Sequence, residues 1–251
     1  MSKTAVITGA STGIGRGSAL QLAKDGFDLV LADWDAEEGE KTAEMCRNEG
    51  IDATFMYADM GVEEEAEKVM QLAKDKFSKV DFYLNNQGVT HDPKLLHEIT
   101  EDEARYTIHS NIMGTFFGLK YMLRIMLEQE SGHIVLVSSS SGIRSETGFG
   151  MYSATKHAVV GLAQDAAMEY ASKNIRVNTI CPGGIMTGMT QKIGKYMMEH
   201  QFVQPKSAAG LLRDGRLGQV DEVTGLVSFL ASEKSAFMTG AILSVDGGNT
   251  L

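Results

Sequence analysis

Two hydrophobic periods alternate along this chain from end to end, and that alternation restricts its fold more than any other feature. Short β-rich runs stand at 4–8, 27–32, 53–58, 80–84, 133–137, 175–180 and 241–245. Between them, helical spacing fills 14–25, 36–49, 63–77, 101–128, 152–172 and 221–231. Several strand runs, "IVLV" among them, are apolar without a break, which suits strands covered by helices on both faces. Strict βαβα order predicts an α/β fold, doubly wound around a central, mostly parallel, seven-stranded sheet. Gly26 and Gly50 stand where helix C-caps belong, and Thr100 with Glu103 has the spacing of a capping box.

The 251 residues fit one domain spanning 1–251, with no linker, repeat or low-complexity stretch. The segment 184–218 departs from the alternation. It is long, rich in Met, Gln and Lys, and holds no clear strand. Placed after the sixth strand, it falls where open α/β sheets bind ligands, and we expect it to act as a substrate loop or lid. A formal net charge of -10 argues against nucleic acid or an anionic membrane as the main partner. No apolar run approaches the ~18 residues of a membrane span, and no signal-peptide pattern opens the chain. Cys46 and Cys181 lie in no CxxC pair and beside no His, so two free buried thiols are expected, in a reducing compartment, with the cytoplasm as the default.

"TAVITGASTGIG" is an apolar strand, a Gly-rich turn and a helix start. Gly9, Gly13 and Gly15 let the backbone approach a ligand, and the helix N-terminus favours a pyrophosphate. Asp33 follows Gly15 by eighteen residues, at the end of the second strand. An acid there accepts from both hydroxyls of an adenosine ribose and repels a 2′-phosphate. No Arg or Lys occupies Ala10, Ser11 or Thr12, so NAD(H) is expected over NADP(H). In "YSATK", Tyr152 and Lys156 sit four residues apart at a helix start, on one face, so a phenol and an ammonium point at the same place. The remaining histidines show no metal-ligand spacing, and no catalytic metal is expected.

Taken together, these motifs resemble the short-chain dehydrogenase/reductase family over nearly the whole chain. "TGASTGIG" (8–15) resembles its cofactor turn, "NNQG" (85–88) its NNAG motif, and "SNIMG" (110–114) the segment with its active-site Asn. "VSSSSG" (137–142) resembles its serine strand, "YSATK" its YxxxK, "NTICPGGIMT" (178–187) its nicotinamide-lining segment, and "SVDGG" (244–248) its C-terminal strand. The resemblance implies a Rossmann-type domain and a catalytic set of Asn111, Ser139, Tyr152 and Lys156. Ser139 lies thirteen residues before Tyr152, with Ser138, Ser140 and Ser141 as competitors. Implied cofactor contacts come from Thr8, Gly9, Ser11, Thr12, Gly13, Ile14, Gly15, Asp33, Asp59, Met60, Asn86 and Gly88. Tyr152, Lys156, Pro182, Gly183, Ile185 and Thr187 complete that set, Thr187 toward the carboxamide. Gln87 replaces the family's usual Ala, and either crowds the cofactor or points into solvent.

The implied reaction interconverts a secondary alcohol and a ketone. Tyr152 is the base in oxidation and the acid in reduction, and Lys156 lowers its pKa and binds the nicotinamide ribose. Ser139 orients the substrate oxygen, and Asn111 holds a water leading from Lys156. The many methionines of 184–218 pack a lid or line an apolar pocket for a substrate such as a hydroxysteroid or bile acid. Two rival readings are a 3-oxoacyl-carrier-protein reductase using NADPH and a non-catalytic, cofactor-binding regulatory protein. The resemblance also implies a homotetramer or homodimer, with 116–119 and the small residues of 152–172 as candidate contacts.

Overall fold

All seven expected strands form, and every pair of neighbours runs parallel. The computed structural model describes residues 2–202 and 215–251. Its strands are β1 (Lys3–Thr8), β2 (Phe27–Asp33), β3 (Ala53–Tyr57), β4 (Phe82–Asn85), β5 (Gly132–Val137), β6 (Ile175–Pro182) and β7 (Ile242–Val245). They lie in the order β3-β2-β1-β4-β5-β6-β7. The order reverses between β1 and β4, the place where a doubly wound sheet opens a crevice at its carboxyl edge. The ladders end together there: Thr8 is opposite Ala32 on one side and Asn85 on the other.

Alternate strand residues serve opposite faces, as the pleat requires. Val6, Val30, Tyr83, Ile134, Leu136 and Val177 are buried against α3 (Glu63–Phe77), α5 (Gly114–Glu128) and α6 (Gly150–Tyr170). Ile7, Leu29, Leu31, Leu84, Val135 and Ile180 are buried against α1 (Gly13–Lys24), α2 (Ala36–Arg47) and α8 (Val220–Ala231). The strands are therefore covered on both faces, which is why they read as unbroken apolar runs. Gly26 (φ +84°) and Gly50 (φ +87°) take the left-handed conformation just past α1 and α2. The capping box is present at α4 (Glu101–Thr107), where Thr100 accepts from the Glu103 N–H and the Glu103 carboxylate from the Thr100 N–H.

One expectation needs correction. The helix read over 101–128 is not continuous. A π-helical stretch, Ile108–Met113, separates α4 from α5. Asn111 lies inside it, fully buried, with its side chain bonded to both backbone groups of Val89. Widened turns of this kind arise where a side chain competes for the regular ladder, and a 3.6 periodicity does not reveal them. The 184–218 segment, read as holding no clear strand, contains a helix, α7 (Gly188–Glu199). Its two ends are tied together by Gly218 N–H to Gly184 O (2.9 Å) and Met186 N–H to Gly218 O (2.8 Å). The part of this segment from 203 to 214 lies outside the described residues. Among the described residues, no helix is long and apolar enough to cross a membrane, and Cys46 and Cys181 are buried and unpaired.

Candidate active site

The crevice at the carboxyl edge is a cleft of about 730 Å³, within the range of cofactor and ligand sites. It runs from the glycine turn after β1, past β4 and β5, to the start of α6 and the inner face of α7. Of the expected site residues, Gly9, Ser11, Thr12, Gly13, Ile14, Asp33, Asp59, Met60, Asn86, Gly88, Ser139, Tyr152, Lys156, Pro182, Gly183, Ile185 and Thr187 line it. Thr8, Gly15 and Asn111 stand one layer behind the wall.

At the glycine end, chains leaving β1 and β4 pass so closely that only glycine fits. Gly9 has φ +65°, and a Cβ on it would sit 2.6 Å from Gln87 Cα. A Cβ on Gly15 would fall 1.9 Å from the Gly9 carbonyl oxygen. Asn86 closes this turn by donating to Gly9 O at 2.8 Å. Thr12 is the N-cap of α1, with no side-chain cap bond and no acid in the first turn. The first N–H groups of α1 thus face the cleft unmasked, at the positive end of the helix dipole. This cradle fits the pyrophosphate of a dinucleotide.

Asp33 is fixed beside it. The Ser11 N–H donates to Asp33 Oδ2 and the Asp35 N–H to Asp33 Oδ1, both at 3.0 Å. The nearest cation, Arg16, is committed to Glu38 (2.5 Å) and to the Thr42 hydroxyl (2.9 Å). Asp59 accepts from the Gly61 N–H and lies 2.9 Å from His109 Nε2. Trp34, half exposed on the same wall, lies nearly parallel to Tyr106, with ring centroids 6.2 Å apart. Thr187 packs on the turn, its Cγ2 3.3 Å from the Cβ position of Gly13, and caps α7.

At the other end, α6 presents Tyr152 and Lys156 one turn apart on its inner face. Ser139 stands beside the Tyr152 side chain, near enough to act on its phenol, and its Oγ accepts from the Ser141 N–H at 3.1 Å. Its competitors point elsewhere: Ser138 Oγ donates to Lys156 O at 2.8 Å, and Ser140 Oγ to Glu146 Oε1 at 3.2 Å. Lys156 Nζ donates to Val137 O at 3.0 Å and lies 5.8 Å from the Tyr152 ring centroid. Gly88 makes room for it, since a Cβ there would be 3.0 Å from Nζ and 3.4 Å from Asn111 Oδ1. Burial pushes Tyr152 up to about 12, Ser139 opposing it, and burial pushes Lys156 down to about 8. A charge effect of Lys156 on the phenol was expected to dominate; in the protein by itself, desolvation dominates both groups.

The sequence left Gln87 open between crowding the cofactor and facing solvent, and it missed Thr155 and Glu146. Gln87 does not point into solvent: its Oε1 accepts from the Thr8 hydroxyl, and its buried Nε2 has no hydrogen-bond partner. Thr155 holds Asn111 through its hydroxyl (2.9 Å). Glu146 lines the cleft beside Tyr152. Only the last carried a signal, a carboxylate six residues before Tyr152 in a loop. His157 is exposed and bonded to Ser153 O, away from the cleft, as its helical angle predicts.

Known proteins resemble this chain over its full length. The family model described as "Enoyl-(Acyl carrier protein) reductase" matches residues 9–250. A diacetyl reductase, (S)-acetoin forming, of Staphylococcus epidermidis is 36% identical over 99% of this chain and 98% of its own. A 3-oxoacyl-[acyl-carrier-protein] reductase of Staphylococcus aureus is 34% identical over 99% of this chain and 98% of its own. Among solved structures, levodione reductase superposes with a TM-score of 0.93 at 30% identity, covering 99% of this chain and 97% of its own. NAD+-bound xylitol dehydrogenase gives 0.88 at 30% identity, covering 98% of each chain. Relatives this similar from end to end, around a cleft that joins a glycine cradle to a Ser–Tyr–Lys cluster, make the chain a member of the short-chain dehydrogenase/reductase family of oxidoreductases.

Proposed function

We propose that the chain is one catalytic domain, 1–251, that interconverts a secondary alcohol and a ketone with NAD(H), with 184–218 as its substrate lid. One observation carries this reading. Tyr152, beside Ser139 and one helical turn from Lys156, opens onto the same cleft as the glycine cradle and Asp33. The cofactor set is the one named from the sequence, and no catalytic metal takes part.

Oxidised nicotinamide, when bound, takes the hydride from carbon and adds positive charge beside the phenol. The chain's residues do the rest. Ser139 orients the substrate oxygen. Tyr152 takes the hydroxyl proton in oxidation and returns it in reduction. Bringing a phenol from ~10 to near neutrality takes about 4 kcal/mol of preferential stabilisation of the phenolate. Burial works against it here, so positive charge must supply it, and Lys156 is the chain's contribution. Asn111 gives its amide N–H groups to Val89 O and Thr155 Oγ1 and accepts from the Val89 N–H. The free lone pair on Oδ1 is available for a water leading from Lys156.

Asp33 and the pairing of Arg16 with Glu38 support NAD(H), because a 2′-phosphate would meet a carboxylate and no free cation. Met189, Ile193 and Met197 turn one apolar face of α7 into the cleft, which supports an apolar substrate body, a hydroxysteroid or bile acid being one instance. The fully exposed Phe237, Met168 and the edge strand β7 support a homotetramer or homodimer, and the two buried thiols support a cytoplasmic setting. The reductase relative at 34% identity favours a second reading, reduction of 3-oxoacyl thioesters with NADPH.

Incubation with deuterated NADH and a ketone panel tests the proposal. Deuterium on the carbinol carbon of a product alcohol is the expected result. Transfer from deuterated NADPH to a 3-oxoacyl thioester alone would install the second reading. No transfer from either cofactor would leave a non-catalytic binding protein.

A further inference from the structure

The cleft has two unlike walls where the substrate must sit. One is the apolar face of α7. The other holds Ser139, Ser140 and Glu146, on the segment between β5 and α6. Glu146 is half-buried, and its Oε1 accepts from Ser140 Oγ at 3.2 Å. Lys156 is the one cationic side chain among the described residues lining the cleft, and it is bonded to Val137 O. Glu146 therefore has hydroxyl partners and no counter-ion. Burial raises its pKa, with Ser140 and Ser141 opposing the rise, and its charge is felt by Tyr152.

A carboxyl turned into a pocket without a cation is costly to keep, and such groups concentrate at functional sites. The place of this one is defined from both sides. Ser140, which it contacts, follows Ser139, the neighbour of Tyr152. Phe149, three residues beyond it, meets the Tyr152 ring edge-on at 6.2 Å. Glu146 thus stands beside the point where the reacting oxygen is held.

We infer that Glu146 receives a second substrate oxygen, adjacent to the reacting carbon, and that vicinal diols and their α-hydroxyketones are the preferred substrates. The inference rests on the alcohol–ketone reading above. In the oxidation, the carbinol C–H bond breaks with its electron pair going to nicotinamide, and the O–H proton goes to Tyr152. The neighbouring hydroxyl is not transformed. It donates to the Glu146 carboxylate, which fixes which of the two carbons faces the cofactor. An isolated alcohol has no group for that carboxylate and leaves it desolvated and unpaired.

The test compares a vicinal butanediol with the matching butanol, using NAD, in the wild type, Glu146→Gln and Glu146→Leu. The wild type is expected to favour the diol in kcat/KM by more than about tenfold. Glu146→Leu should abolish the diol-to-butanol ratio of kcat/KM, whatever the change in butanol turnover itself, with NADH binding kept, and Glu146→Gln should retain part of that ratio. A wild type without preference, or a Leu variant that loses both substrates equally, overturns the inference and leaves the alcohol–ketone reading standing. Absence of turnover with both substrates and with the wider ketone panel overturns that reading, and the inference with it.

Discussion

Asp33 receives two backbone N–H groups, from Ser11 and Asp35, so its carboxylate is aimed before a ribose arrives. Such preorganisation makes a selector, and it sets an expectation. Asp33→Ala should raise affinity for NADPH and lower that for NADH, shifting their ratio by about tenfold or more in a fluorescence titration. An unchanged ratio would assign selectivity elsewhere. Gly15 gives a second expectation. A Cβ there would lie 1.9 Å from the Gly9 carbonyl, so Gly15→Ala should cost more than ~2 kcal/mol in urea unfolding, through displaced backbone. Both residues were legible in the sequence because their meaning is local: a turn, a strand end, a spacing along one helix. Gln87 and Glu146 were not, because their surroundings are set by Thr8 and Ser140, which the chain brings to them only after folding.

Elements show the same division. The strands and most helices were readable because each buries a face with one period. The π-helical stretch was not, since it interrupts a pattern that reads as one helix, and Asn111 within it bonds Val89 and Thr155 on other segments. A second tertiary device is His133 on β5. Its Nδ1 lies 2.8 Å from Leu230 O of α8, and Asn178 of β6 donates to its Nε2 at 2.9 Å. Burial pushes its pKa from 6.5 down to about 3. Below pH 6.5 the unfolded chain binds a proton that the folded one refuses, so this group's contribution is lost as pH falls through that window. The loss amounts to about 2 kcal/mol between pH 6.5 and pH 5. Urea titrations of the wild type and His133→Gln across that range should show a shallower pH dependence in the variant. Parallel curves would contradict the assignment.

At the scale of the molecule, the sheet order places every motif on one edge, which is why short matches scattered along the chain converge on one cleft. The lid was legible as an insertion; its helix was passed over although Met189, Ile193 and Met197 recur at helical spacing. Phe237, Met168 and Ile242, the last on edge strand β7, are exposed apolar side chains, and light scattering should return the mass of a tetramer or dimer. A monomer at micromolar concentration would remove that proposal without touching the active site.

The account's centre is the proton carried by Tyr152. It is tested most directly by single-turnover oxidation of NADH with a substrate ketone in the wild type and Tyr152→Phe. The expected result is a rate lowered by roughly 10³-fold or more in the variant, with NADH affinity unchanged. A phenylalanine variant that turns over within about tenfold of the wild type would contradict the account, because the proton would then come from another group.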